Sequence, residues 1–382
     1  MSICSKWLGL VAGCVIAAWA QAPGNAFQPA ATLKVDFPKD SPVTLLSANL
    51  GESRMDASGG ALVLDLHTAL TLRNASQRHI RGVMLLVETQ EMAPGGKASV
   101  AVPSLDVRPG GTFPVRIDLR LLRPLMTRGG PMAQVSLDGV LFEDLSFYGP
   151  DQLGSRRAMT VWELEARLDR NHLKTVFQTK GWAGLQAEMI ETMARLADRP
   201  QLDVQVVRRG RSVAMTVSGR ECQFAFLQVP GAPLETLSGL AHIVGSEASS
   251  PAIQVLNRSE RPIRYFEIAW IIRDRAGREF MAGSVPAADS GLRLAPGAKS
   301  EVHEDAWLRF TQANGQPVEI ASITGFVSQV EFSDGSIWIP NPADIAGQRL
   351  RAVLAPSPEQ QRLAGLYKKR GLAALIEEVK NF

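Results

Sequence analysis

Short apolar runs, alternating or β-branched and punctuated by Gly, Pro and Asn, fill the chain from Leu33 to Pro150. Val43-Thr44-Leu45-Leu46-Ser47, Ala61-Leu62-Val63-Leu64-Asp65-Leu66 and Ile80-Arg81-Gly82-Val83-Met84-Leu85-Leu86-Val87 predict strands. Asn74-Ala75-Ser76 and Pro109-Gly110-Gly111 predict turns between them. The period then changes. Leu173, Val176 and Phe177, followed by Leu185, Met189, Ile190 and Met193, recur at helical spacing and mark one helix face. Thr160-Val161-Trp162-Glu163 reads as a capping box at its start, and Asp198-Arg199-Pro200 as its stop. Gly181 separates two helices or sits inside one.

The programme then repeats. Val330 to Pro340 echoes Val140 to Pro150, with Phe142 recurring as Phe332, Asp144 as Asp334, Tyr148 as Trp338 and Pro150 as Pro340, an offset of 190 residues (332 less 142). Each copy reads as a hairpin closed by Pro. Ser41-Pro42-Val43 returns as Ala232-Pro233-Leu234, Asn74-Ala75-Ser76 as Asn257-Arg258-Ser259, and Ile80-Arg81 as Ile263-Arg264. The helical face returns too, with Leu363, Leu366, Tyr367, Gly371, Leu375 and Val379 in the places of Leu173, Val176, Phe177, Gly181, Leu185 and Met189. Ser357-Pro358-Glu359-Gln360 supplies Ser at N-cap, Pro at N1 and Gln at N3. Gln201 to Pro230 is an extra strand-rich segment folded around the turn Arg208-Arg209-Gly210-Arg211.

Within Arg264 to Ile272, Phe266, Ile268, Trp270 and Ile272 fall on one side, while Tyr265 and Ile271 spoil a polar opposite face. Val83, Leu85 and Val87 hold the matching places in the first repeat. With its Trp on a central strand, the pattern resembles the immunoglobulin or fibronectin type III sandwich, without the paired cysteines of antibody domains. The expected architecture is mostly β with α: two duplicated antiparallel Ig-like β-sandwich modules, each followed by a helical tail. The expected boundaries are a signal peptide at 1–20, a flexible lead-in at 21–31, sandwiches at 32–155 and 200–345, and helical segments at 156–199 and 346–382.

Lys6, the apolar run Trp7 to Ala17 and Ala18-Trp19-Ala20 form an export signal cleaved after Ala20. Val11-Ala12-Gly13-Cys14 resembles a lipoprotein box, although the apolar run continues past Cys14 to Trp19; lipidation there is the minority reading and the only route to a membrane. Cleavage at Ala20 leaves Cys222 as the one cysteine, so no intramolecular disulfide forms. The chain of 382 residues, 45% hydrophobic and 21% charged, is long enough for two cores. A net charge of +3 is too mild to call for a nucleic-acid partner.

Motifs for chemistry are scarce. No Gly-x-Ser-x-Gly, Walker loop or Gly-x-Gly-x-x-Gly occurs, and His67, His79, His172, His242 and His303 lack metal-ligand spacing. No catalytic residue, metal or cofactor is therefore assigned. Asp334-Gly335-Ser336 reads as an Asx turn before a calcium ligand, and His303-Glu304-Asp305 and Glu143-Asp144 as solvated acidic loops. Both Asn-x-Ser sequons fall in turns, where Asn tolerates left-handed angles and bonds locally. Contacts with a ligand or partner are expected at Trp307, Trp338 and Tyr148, and at the basic tip Arg208, Arg209 and Arg211. Trp270 and Cys222 are expected in the core. The expected function is that of an exported, periplasmic or extracellular, non-enzymatic binding or structural protein of the cell envelope, with an envelope protein or glycan as partner. Alternatives are carbohydrate binding by Trp307 and Trp338, and an extracytoplasmic hydrolase with its site between the modules.

Overall fold

The computed structural model describes residues 33–382 apart from 52, 59–60, 90–96, 125–132, 201, 208–218, 287–290, 304–306 and 346–352. The expected signal segment and lead-in, with Cys14, lie outside the described residues, as do Arg208, Arg209, Arg211, Glu304 and Asp305. The protein is mostly β, with 48% of residues in strands and 24% helical.

In the first half the elements run β1 (Leu33–Asp36), β2 (Val43–Asn49), β3 (Arg54–Ser58), β4 (Ala61–Asn74), β5 (Ile80–Thr89), β6 (Lys97–Val102), β7 (Thr112–Pro124), β8 (Ala133–Phe142), β9 (Phe147–Tyr148) and α1 (Ser155–Asp198). One sheet has the order β1-β8-β5-β6, with β1 parallel to β8 and the short β9 folded back on it. In the other, β7 follows β4 along its length, and β2 and β3 share the opposite edge of β4. Leu64, Leu66, Leu70 and Leu72 of β4 meet Val83, Leu85 and Val87 of β5 and Val135 and Val140 of β8 in one core. Alternate positions build it, as the pleat of a strand requires.

The second half runs β10 (Leu202–Val207), β11 (Arg220–Gln223), β12 (Ala225–Phe226), β13 (Leu234–Val244), β14 (Glu247–Asn257), β15 (Ile263–Asp274), β16 (Glu279–Pro286), β17 (Lys299–His303), β18 (Trp307–Gln312), β19 (Ile320–Phe332), β20 (Ile337–Trp338), α2 (Pro342–Ile345) and α3 (Pro358–Lys380). Its first sheet, β12-β19-β15-β16, again begins with a parallel pair and carries the folded-back β20. Its second sheet has β14 between β13 and the pair β17 and β18. Within the segment 201–230 the Arg-rich turn and the residues after it to 218 lie outside the described residues. β10 joins β18 and β11 joins β13, so the two described strands flanking the turn take opposite edges of one sheet.

Phe266, Ile268, Trp270 and Ile272 face the core as their alternation predicts, and Trp270 stands edge-on to Phe224 at 5.0 Å. The opposite face of β15 is not solvated. Ala269, Ile271 and Phe326 pack there with Met281, Ile345 and Leu354, which is why no polar stripe could be read along this strand. Cys222 is buried, as expected.

The capping box is corrected. α1 begins a turn before Thr160, after Gly154 in the left-handed region (φ 66°). Asp138, fully buried on β8, accepts from the amides of Gln152 (2.9 Å) and Leu153 (3.2 Å) and from Ser155 Oγ. Asp151 accepts from the Arg156 amide at 2.8 Å. Thr160 instead donates one turn back to the Arg156 carbonyl (2.6 Å), and Glu163 pairs with Arg167 and Arg170. The start of α3 matches its motif, since Ser357 Oγ accepts from the Gln360 amide at 3.1 Å.

Both long helices break at the paired glycines, Gly181 (φ 63°, ψ −158°) and Gly371 (φ 79°, ψ −176°). Leu173, Val176, Leu185 and Met189 of α1 and Leu363, Ala364, Leu375 and Val379 of α3 then form a single buried cluster. The two tails pack on each other. The first turns of α1 also cover the outer face of the first sheet, where Met159 joins Met84 and Leu141.

Candidate functional site

The site is framed by contacts that tie the two halves together. Glu331 of β19 is 1% exposed at the side chain, at the place that Leu141 holds in the first repeat. It accepts from Arg157 Nε at 2.7 Å, and from Arg156 and Arg264. Burial pulls its pKa up, but the hydrogen bonds from these three arginines outweigh it and leave the carboxyl below the ordinary range. Arg157 also lies 3.5 Å over the Tyr265 ring. A carboxylate of the second half thus holds the first turn of a helix that leaves the first half.

The tails are tied in the same way. Asp169 of α1 is buried and accepts from Ser357 Oγ and from Gln360 Nε2 (2.6 Å), so α1 fixes the N-terminus of α3. A carboxylate there also complements the helix dipole. Glu359, fully buried, takes two 2.9 Å hydrogen bonds from Arg362 and lies 3.5 Å from Arg170.

Between α1, the outer face of the β12-β19-β15-β16 sheet and the segments 339–345 and 354–358 lies a cavity of about 780 Å³. Its apolar wall is made by Ala269, Met281, Phe326, Ile345 and Leu354. Its polar wall is a helix face: Glu165, Leu168, Asp169 and His172 follow at spacings of three and four. Arg195 and Arg199, from beyond the Gly181 break, complete the lining with Ser357 and Gln360. Burial, and secondarily the charge of Asp169, pushes Glu165 up to about 7. Burial likewise raises Asp169, against the lowering effect of Ser357 and Gln360. A volume in the range of small-molecule sites, mostly apolar walls and a few convergent polar groups describe a binding cavity.

The residues expected at a site lie elsewhere. Trp338 is half-buried against the second-half core, and Tyr148 against the first. Burial, and then a hydrogen bond to Asp40, raises the Tyr148 phenol. Trp307 is half-buried on β18, on a different sheet from Trp338. Asp334 forms an Asx turn, accepting from the Ser336 amide (2.9 Å) and hydroxyl (2.6 Å). Asp144 repeats it with Ser146. In each turn an arginine that stacks on the preceding Phe, Arg78 on Phe142 and Arg261 on Phe332, pairs with the Asp. Among the described residues no group of His, Cys, Asp and Glu has the makings of a metal site.

The sequons close equally tightly. Asn74 and Asn257 are fully buried; each amide donates to two carbonyls, Arg78 and Val107 or Arg261 and Leu294. Each side-chain carbonyl accepts from the Ser amide and hydroxyl two residues on. Local bonding was expected; a left-handed backbone was too, and neither asparagine adopts one.

No family model matches the chain, and no curated protein matches it. Solved structures with some similarity include a red sea bream transglutaminase, at 10% identity and TM-score 0.14, covering 75% of this chain and 31% of that one. A protein described as pT26-6p has 9% identity and TM-score 0.18, over 89% of this chain and 73% of its own. A β-glucosidase from Kluyveromyces marxianus has 8% identity and TM-score 0.15, over 70% and 45%. The chain thus spans less than half the length of the transglutaminase and the glucosidase. Likeness at this level carries no functional argument.

Proposed function

We propose that this chain is an exported, non-enzymatic binding or structural protein of the cell envelope, acting through two duplicated Ig-like sandwich modules with helical tails. The observation that carries the reading is the bond set at Glu331, which makes two like halves into one frame. The repeated sheet order, the paired Asn turns and the paired Arg–Phe–Asp latches support duplication. Each half also presents an exposed leucine, Leu46 or Leu237, where the register of β2 or β13 slips, a surface suited to a protein partner. Fractionation of cells expressing the tagged full chain, followed by cross-linking in envelope extract, tests the reading. Processing near Ala20 and capture of one defined envelope protein or glycan support it. Unprocessed chain in the cytoplasm overturns it.

A second reading, an extracytoplasmic hydrolase, draws on the cavity, which gathers His172, Glu165, Asp169 and Ser357 from distant parts of the chain. Against it, Ser357 Oγ donates to Asp169 and caps α3, while His172 lies 3.5 Å from Glu188, so the hydroxyl has no imidazole base. Labelling of Ser357 by a fluorophosphonate probe would establish this reading over the first.

A further inference from the structure

The cavity between α1 and the second-half sheet holds a carboxylate that the described residues leave uncompensated. Glu165 is half-buried, lines the cavity and has no hydrogen-bond or ion-pair partner among the described residues. Its charge is opposed by burial and by Asp169, and among the described residues no neighbouring cation offsets either. Asp169, one helical turn away, is met by the neutral donors Ser357 and Gln360. Among the described residues the charged groups facing the cavity are these two, His172 at the α1 face, and Arg195 and Arg199 from beyond the helix break. Arg195 is turned to Gln360 at 3.2 Å and Thr192 at 3.4 Å. The sheet contributes Ala269, Met281, Ala282, Phe326 and Ser328 and no charge, while Glu359 of α3 is closed off by Arg362.

A buried carboxylate without a partner is costly, and a cation that enters beside it removes the cost. The opposite wall is apolar and deep enough to take a hydrocarbon body. We propose that this cavity binds an amphipathic organic cation, an alkyl or aryl amine whose charged head pairs with Glu165 and whose apolar body lies along Met281, Phe326 and Leu354. The site does not depend on the envelope reading, since neither export nor duplication enters its geometry.

Titration calorimetry on the full chain with decyltrimethylammonium, decanoate and decanol tests the proposal. The cation is expected to bind, one molecule per chain, more tightly than decanol, and decanoate more weakly than either. Glu165→Gln is expected to weaken the cation by roughly tenfold or more while leaving decanol unchanged. Met281→Trp, which fills the apolar end, is expected to weaken both. Cation binding is expected to tighten between about pH 6 and 8, as Glu165 ionises. Decanoate binding at least as tightly as the cation would assign the site to Arg195 and Arg199 and overturn the proposal. So would cation affinity indifferent to Glu165→Gln, or no binding of any of the three.

Discussion

Arg157 Nε donates to Glu331 Oε2 at 2.7 Å, across 174 residues of sequence, and so joins the first turn of α1 to the last long strand of the fold. In the first repeat the same strand position is Leu141, which packs under Met159 of the same helix. One copy of the position meets the helix with a methyl group, the other with a carboxylate. Glu331→Leu, which restores the residue of the first copy, leaves three guanidinium groups facing an apolar side chain. Breaking a buried pair costs about 3 to 5 kcal/mol, and the low end applies because these arginines keep some solvent contact. We expect denaturant unfolding to shift by about 3 kcal/mol and to separate into two transitions as the halves uncouple. A single transition at the parental midpoint would show that Glu331 does not join them.

The same group sets an acid limit. Its folded pKa lies below the unfolded value, so its contribution is complete above about pH 4.5 and is lost as pH falls through the folded value. The parent is expected to lose stability below about pH 4 more steeply than Glu331→Gln, whose curve should be flatter there. Parallel curves for the two proteins would remove the assignment.

Asn74 and Asn257 make the same bonds in the two halves, two as donor and two as acceptor. Ala at either position strands buried carbonyls and a Ser hydroxyl, at about 2 to 4 kcal/mol. We expect closely similar losses for Asn74→Ala and Asn257→Ala. Expression in a glycosylating host should leave both asparagines unmodified in the folded chain, which mass spectrometry of the tryptic peptides would check. Modification at either would contradict the burial.

Much of the strand pattern was legible because it rests on local signals. Leu66 sits between Asp65 and His67 and Leu72 between Thr71 and Arg73, and an Asn-x-Ser turn closes the strand in each half. The helix break at Gly181 was legible as one of two options, decided by a left-handed backbone that only Gly adopts cheaply. The start of α1 was not legible. Its amides are served by Asp138, a buried residue of β8 with no signature of its own, so the local Thr160–Glu163 motif misled. The cavity was hidden for a related reason. Glu165, Asp169 and His172 share a helix face that sequence reads as solvated, and Phe326 and Leu354, the wall that buries it, come more than 150 residues later (326 less 172). Only the odd apolar outer face of β15, with Ile271 where a polar residue belonged, hinted that something lay on it.

Leu375 is fully buried in the cluster shared by the two tails. Leu375→Ala removes its methyl groups from both helices at once, a loss of about 3 kcal/mol for a buried leucine. Because the cluster belongs to α1 as much as to α3, hydrogen exchange should quicken around Leu185 and Met189 as well as around the mutated turn. Exchange confined to α3 would mean that its packing on α1 contributes little.

Glu165 gives the last expectation, and its sign is opposite to that of Glu331. Its pKa is raised from 4.5 to about 7, so the folded chain holds this proton more tightly than the unfolded one. The stabilisation is complete below about pH 4.5 and is lost as pH rises through 7. Glu165→Gln keeps the shape and removes the ionisation. At pH 4 parent and variant should melt together. At pH 8 the variant should be the more stable, by up to about 3 kcal/mol and less where water reaches the carboxylate. Differential scanning calorimetry at the two pH values checks this, and an equal offset at both would show that Glu165 is fully solvated. Saturating decyltrimethylammonium should narrow the pH 8 gap, because the bound cation then stabilises the ionised parent and does little for the glutamine variant.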